Sequence, residues 1–507
     1  MVSALQAAGP ALLVIVLAWK LSQGKPRQRL PPGPPLSWSE AKNIWSLEYP
    51  YLQFTDWARK YGDIYIFKAL GDTNIVLTSA RAVKEVLDKH GALTGGRPQV
   101  ILQNMVIRDV LIAHLDIETD HWKRGNKALH YFFTAEAVAN HLPAQQAECT
   151  KFCYDLLDKP EDLVKHLTKA VASISLSLVY GKTIATYENS LAEEFHAFTS
   201  MQTNIMNIDS SWPDFILDNL PWAIAPWGSL CKRTRKAYDD FFDPLLEDCE
   251  QKQKAGMGNG CYMEYLLDNQ VKFGLAREDL SGLALSLMEG YETSAMFLRS
   301  FIYTLITFQA CQKRAQEEMD RVVGSNRLPV AEDFKDLPYL DALIKEHHRY
   351  RPLIPYGAVH KATGTVVYEN YSVEPGDVIL SNTWGINRDP ELYDDAETFK
   401  PERYLASEFG TSPGADTSDF RGDWIFGSGR RKCPGYELGQ RFVQISVMQL
   451  VWAFSFEKDS SVKYGNRLAE DINNYQSGPY MYPKDFTCKT IPRDKERAAL
   501  LRSAVSS

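Results

Sequence analysis

Phe426-Gly427-Ser428-Gly429-Arg430-Arg431-Lys432-Cys433-Pro434-Gly435 sets one cysteine in a turn with three glycines and three consecutive basic residues. Glycine lets backbone come close to a flat ligand, and the cations can neutralise acidic groups that such a ligand carries. Pro434 has no N–H, so the donors within reach of a Cys433 thiolate are the backbone N–H groups of Gly435 and Tyr436. Hydrogen bonds of that kind tune the donor strength of a thiolate. A thiolate here could hold a haem iron, pushing electron density onto the metal and favouring O–O cleavage. The plain alternative is a buried structural cysteine beside a basic surface turn.

Phe426, Gly429, Arg431, Cys433 and Gly435 follow the order F-x-x-G-x-R-x-C-x-G. In this the loop resembles the haem-binding loop of the cytochrome P450 family. The resemblance implies a mainly α fold with a minor β region, built as a single large haem-binding domain. It further implies haem b as cofactor, Cys433 as axial ligand to its iron, and Arg431, Phe426 and Gly435 packed around it.

Outside the loop, composition is that of ordinary globular material: 507 residues, 45% hydrophobic and 24% charged. Length alone would suggest about three domains, but no low-complexity linker or internal repeat separates such units. A net charge of −8 speaks against nucleic acid as a general partner. The eight cysteines show no C-x-x-C pairing, so neither a zinc ribbon nor a disulfide framework is indicated, and a reducing compartment fits them. Cys149 and Cys153, four apart, read as two core residues of one helix face.

Ala4 to Trp19 is almost wholly apolar and is followed by Lys20, Lys25, Arg27 and Arg29, then by Leu30-Pro31-Pro32-Gly33-Pro34-Pro35. Such a run is near the short end for a spanning helix, about 17 to 25 residues. Basic residues after it place that side in the cytoplasm. A cleaved secretory signal competes, but the charges follow the segment and the prolines make a stiff spacer. The expected organisation is a membrane anchor at 1–21, a basic and proline-rich hinge at 22–36, and a catalytic domain at 37–507. This resembles microsomal members of the family, which implies an endoplasmic reticulum membrane protein with a single-pass anchor and a cytoplasmic catalytic domain.

Further on, Ile64 to Phe67 and Ile75 to Leu77 read as short strands between glycine turns, and Ala82 to Leu87 as helix. His121 to Lys127 resembles the family's W-x-x-x-R element, whose tryptophan and arginine contact a haem propionate. Trp122 matches, whereas Asn126 stands where arginine is expected. Lys127 and Arg124 are neighbouring cations that leave the helix at other angles, and a solvated basic helix face is the competing reading. Trp212, Phe215, Ile216, Leu217, Leu220, Trp222, Ile224 and Trp227, interrupted by Pro213, Pro221 and Pro226, do not suit one regular helix. In the family this region covers the substrate entrance.

Leu280 to Ile306 carries the strongest helical periodicity. Within it, Glu289-Gly290-Tyr291-Glu292-Thr293-Ser294 resembles the family's oxygen-activation segment. Gly290 costs about 1 kcal/mol relative to alanine in mid-helix, so it marks close approach by a ligand. Thr293 can bond back to the carbonyl of residue 289 and leave room for dioxygen and water, and Glu292 can pass protons inward. These two are the expected catalytic residues. Glu289 departs from the family's alanine or glycine; it either contacts a polar or cationic part of the substrate or reflects a shifted register.

Glu346 and Arg349 share a helix face as an E-x-x-R pair, and Pro401-Glu402-Arg403-Tyr404 resembles the segment whose arginine joins them in a buried structural network. His347 and His348 diverge by about 100° and are poor co-ligands; a surface or network role is expected. Pro355 to His360 resembles the strand that lines the pocket, with His360 against a propionate. Val378 to Leu380 reads as a strand, Leu438 to Phe454 as the helix behind the haem, and Gly478 to Met481 as a loop tip reaching back to the pocket.

The resemblance implies a haem-thiolate monooxygenase that hydroxylates or epoxidises a small, largely apolar substrate with O2. Electrons would come from NADPH through NADPH-cytochrome P450 reductase, docked on Arg421, Arg430, Arg431, Lys432 and Arg441. The His360 strand resembles that of fungal biosynthetic members, which points to secondary metabolism. The same scaffold also runs rearrangement, dehydration or ring formation without net oxygen insertion, and a haem carrier or sensor without turnover is the reading from another class.

Overall fold

The computed structural model describes residues 30–37, 40, 44–69, 71–188, 190–209, 217, 219–220, 223–422, 424–459, 468–476 and 478–506. The expected anchor at 1–21, most of the hinge, and Trp212, Pro213, Phe215, Ile216, Pro221 and Trp222 lie outside them. Among the described residues no helix is long and apolar enough to cross a membrane.

Helices dominate. In chain order those of seven residues or more among the described residues are α1 (Pro50–Tyr61), α2 (Ile101–Ile107), α3 (Asp120–Phe132), α4 (Ala135–Asp158), α5 (Leu163–Tyr180), α6 (Leu191–Asp209), α7 (Gly228–Lys254), α8 (Tyr262–Phe273), α9 (Arg277–Thr307), α10 (Gln309–Val322), α11 (Pro338–Tyr350), α12 (Tyr436–Ala453) and α13 (Lys495–Ser506), with short helical turns at Ala80–Val83, Thr383–Ile386 and Arg403–Ala406. The β elements are β1 (Ile64–Ala69), β2 (Asp72–Leu77), β3 (His360–Lys361), β4 (Val366–Tyr368), β5 (Tyr371–Val373), β6 (Val378–Ser381), β7 (Phe454–Lys458) and β8 (Cys488–Pro492).

One four-stranded sheet runs in the order β1-β2-β6-β3. Its β1–β2 hairpin pairs Ile66 with Ile75, and β2 runs parallel to β6 with Ile75 opposite Ile379. The parallel pairing joins segments some three hundred residues apart, so the sheet closes the fold across most of the chain. The strand expected over Pro355 to His360 narrows to His360–Lys361; Gly357 turns the chain with a φ of 67°, which ends extended pairing there.

At the centre lies α9, whose buried stripe includes Leu280, Leu283, Leu287, Tyr291, Leu298 and Ile302. Its side chains recur on more than one face, as expected of a helix enclosed on most sides. It packs along α5, α12 and β7. Asp279 caps its start, accepting from the Ala276 N–H at 2.7 Å, where a carboxylate also meets the positive end of the helix. Behind it, α4 and α12 meet at Cys149, whose sulfur lies 3.1 Å from Ser446 Oγ. Cys149 and Cys153 are both buried, as two core residues of one face.

Candidate active site

A cavity of about 550 Å3 opens between α9 and the loop before α12. Gly290, Thr293 and Ser294 line it from α9, Cys433 and Gly435 from the loop, and Phe426 and Phe133 close its edge. The loop is held by its backbone. The Cys433 N–H donates to Phe426 O at 2.7 Å, and the Gly429 N–H to Asp88 Oδ1 at 2.8 Å. Gly429 sits at φ 57°, and a Cβ there would lie 2.1 Å from the Leu87 carbonyl oxygen, so position 429 is closed to any other residue. Phe426 meets Tyr436 edge to face at 4.7 Å.

Cys433 is accessible to solvent even though protein surrounds it, because its open face borders the cavity. Burial raises its thiol, opposed by the Gly435 N–H and by Lys432. Gly435 is thus one of the two donors anticipated for the sulfur.

Above the loop, Thr293 Oγ1 donates to the Gly290 carbonyl at 2.8 Å, three residues back rather than to residue 289 as expected. A Cβ on Gly290 would meet nothing: the helix presents bare backbone to open space there. Glu292 points the other way. Its carboxylate accepts from Thr199 Oγ1 of α6 at 3.1 Å, and it borders a separate cavity of about 110 Å3 with His196, Arg299 and Tyr482. Burial lifts Glu292 to about 7. Burial also lifts Glu289 to about 8, with the Gln202 amide opposing and Glu292 adding to the rise. Both acids act on Tyr480 of the 478–481 loop, and that loop is tied inward by the Met481 N–H donating to Leu353 O at 2.8 Å.

On the far side of the loop, Glu346 accepts from Arg349 Nε and Nη2, both at 2.8 Å, from Arg403 Nε at 3.2 Å and from the Lys400 N–H at 2.7 Å. All three charged side chains are buried, so Glu346, Arg349 and Arg403 meet as one network. His347 is buried and His348 half-buried. His347 Nδ1 lies 3.0 Å from Thr304 Oγ1, and His348 packs on Phe297 at 4.4 Å and lines the larger cavity. The apolar neighbours on α9 explain that burial: the second face of α11 turns into the core.

The cytochrome P450 family model matches residues 31–474. The chain belongs to the cytochrome P450 family. A cytochrome P450 monooxygenase of Armillaria gallica is 33% identical over 97% of this chain and 95% of its own length. One of Rhodocybe pseudopiperita is 32% identical over 99% and 96%. In fold, a zebra fish cytochrome P450 solved with progesterone superposes with a TM-score of 0.71 at 23% identity, covering 88% of this chain and 99% of that one. The chain is accordingly a P450 monooxygenase, an oxidoreductase whose family carries a haem iron.

The side chains beside the P450 cavity fit such a group. Arg431 turns inward and donates to the carbonyls of Gly95 at 2.7 Å and of Leu115, and it stacks over Trp122 at 5.3 Å. Trp122 and Arg431, distant in sequence, are therefore brought together. Arg97, which the sequence reading passed over, donates to Ala113 O at 3.1 Å and to Val359 O. Burial lowers Arg97 to about 9, with the Arg431 charge adding, and lowers Arg431 to about 10, with Asp116 opposing. His360 is buried with Nδ1 2.9 Å from Thr94 O; burial and then Arg97 hold it near 3. Among the described residues no carboxylate is in salt-bridge contact with either guanidinium. Half-buried cations whose hydrogen bonds go to carbonyls make a cradle for an acid, since a carboxylate would supply the charge-assisted partner that the carbonyls do not, and haem propionates are such acids.

Two expectations for this region change. Arg124 lies by Gly274 and Asp279 and Lys127 is exposed, so neither joins the arginine pair. Of the basic residues expected at the docking face, Arg431 is turned inward and Arg421 is tied to Asp88 at 3.3 Å and Gly427 O at 2.8 Å. Arg430 and Lys432 stay exposed. The only sequence signal for Arg97 was a cation after two glycines, which is too common to single out.

Proposed function

We propose that the chain hydroxylates or epoxidises a small, largely apolar substrate, using O2 and electrons relayed from NADPH by NADPH-cytochrome P450 reductase. The observation that carries this is that Cys433, Gly290 and Thr293 line one cavity, with the half-buried Arg431 on its wall and Arg97 nearby. Relatives that are fungal P450 monooxygenases favour secondary metabolism as its setting. The apolar run at 4–19 favours an endoplasmic reticulum anchor.

When bound, thiolate-ligated haem b supplies oxygen activation by O–O cleavage. The chain's own residues have distinct tasks. Cys433 would hold the haem iron through its sulfur, tempered by the Gly435 N–H. Trp122, His360 and Arg431 would hold the propionates, and Phe426 would pack at the rim. Thr293 keeps its hydroxyl at the cavity wall by donating to the Gly290 carbonyl. Glu292, poised near neutrality, exchanges protons with the side cavity behind α9, where a carboxyl with a pKa near ambient pH serves both directions of transfer. Glu346, Arg349 and Arg403 brace the fold without touching substrate.

Glu289 supports a second reading. A neutral carboxyl near Tyr480 of the inward-tied 478–481 loop can hold a substrate polar group, which suits rearrangement or ring formation without net oxygen insertion. The test is the reductase-coupled enzyme offered a metabolite extract, with products read by mass: one added oxygen atom supports monooxygenation and unchanged composition supports the second reading. Cys433→Ala abolishes both and removes the carbon-monoxide difference spectrum; a spectrum that survives refutes haem-thiolate chemistry here.

A further inference from the structure

His114 lies in the segment gripped by Arg97 and Arg431, both half-buried. Arg431 bonds the carbonyls of Ile112 at 3.4 Å and of Leu115, and Arg97 bonds that of Ala113 at 3.1 Å. The backbone on both sides of His114 is thereby fixed by cations. The imidazole is near enough to both guanidiniums for their charges to act on it. Its Nδ1 is sealed from solvent and has no hydrogen-bond partner. A buried polar nitrogen without a partner is costly to keep, where an apolar side chain would avoid that cost, so it calls for an explanation, and a bound acceptor is one.

Position 126 gives the reason. The arginine that the family's W-x-x-x-R element supplies is asparagine in this chain, and neither Arg124 nor Lys127 turns toward the cradle. We propose that His114, held between Arg97 and Arg431, supplies the donor to a haem propionate that the absent arginine at 126 would have supplied. This rests on haem binding as read above. An imidazole N–H makes one bond where a guanidinium makes two, so His114 and Arg97 together do the work of one bidentate contact. Residue 114 comes before α3 and residue 126 lies on it, so the substitution moves the donor from helix to loop while keeping it on the same acid.

The test uses full-length haem-loaded protein and measures transfer of haem to excess apomyoglobin, together with the propionate bending bands in the resonance Raman spectrum. His114→Ala should lose haem about tenfold faster, the lower end of what loss of a supporting partner costs a metal site, and shift one propionate band. His114→Gln, which keeps an N–H donor, should fall between parent and alanine. Asn126→Arg placed in the His114→Ala background should restore both readings, which a merely structural role for His114 would not allow. An unchanged transfer rate and unshifted bands in His114→Ala overturn the proposal, as does a loss that Asn126→Arg does not repair. If the parent protein takes up no haem, it is the cofactor reading that fails.

Discussion

Replacing Glu346 by glutamine isolates the buried charge network. The Glu346 carboxylate receives four N–H groups within 3.2 Å: two from Arg349, one from Arg403 and one from Lys400 backbone. The Glu346 and Arg349 side chains are 0% and 1% exposed, so water cannot replace a lost partner. Glutamine removes the negative charge and turns an amide donor toward other donors. Breaking one partner of a buried ion pair costs about 3–5 kcal/mol, against a total stability of about 5–15 kcal/mol for a typical protein. Arg349 retains carbonyl bonds to Asn387 at 2.9 Å and Ala396 at 2.8 Å, which keeps the loss near the lower value. Arg403→Leu should cost less than Glu346→Gln, because Arg349 keeps its two-pronged bond. Urea unfolding of haem-loaded protein, followed by far-UV circular dichroism, measures both. A change below about 1 kcal/mol for Glu346→Gln would refute the reasoning, since an exposed pair is worth no more than that.

Further outcomes follow from the same geometry. Glu289 is raised by burial to about 8, well above an unfolded carboxyl. The folded state therefore binds more protons between about pH 4.5 and 8, and stability falls as pH rises through that window. Glu289→Gln should flatten the fall, measured as unfolding midpoint against pH; an unchanged slope counts against a buried, protonatable Glu289. Gly429→Ala should express without haem, because its Cβ would enter the Leu87 carbonyl at a φ of 57°, a conformation costing about 1–3 kcal/mol even before the clash. Normal haem content in that variant would show the loop to be far more yielding than its geometry implies.

Several features were legible in the chain because their causes are local. The apolar repeat of Leu280 to Ile306 is a property of consecutive side chains, and α9 spans Arg277–Thr307. The strands at 64 and 75 needed only β-branched runs between glycines, and the Cys433 loop only its glycines. Glu346 and Arg349 share a face by their spacing alone. What sequence could not give was the rotation of each helix about its axis. Glu292 was expected to pass protons inward, and the side from which it does so was not legible: its carboxylate bonds Thr199 on α6 and borders the side cavity. His348 was expected at the surface or in a network and instead lines the cavity.

The family was legible in local motifs such as the Cys433 loop and the Glu346–Arg349 pair, because each rests on residues within a few positions of one another. Only folding decided which polar side chains gather around the Arg431 loop. Arg97, His114, His360 and Arg431 come from segments separated by up to 334 residues. They meet because β3 pairs with β6, Gly96 bridges Lys361, and Arg431 crosses to the carbonyls of Gly95 and Leu115. No periodicity records such meetings: the hydrogen bonds from Arg97 and Arg431 to backbone carbonyls offset part of the cost of desolvating those charges, and those carbonyls come within reach only once the chain has folded.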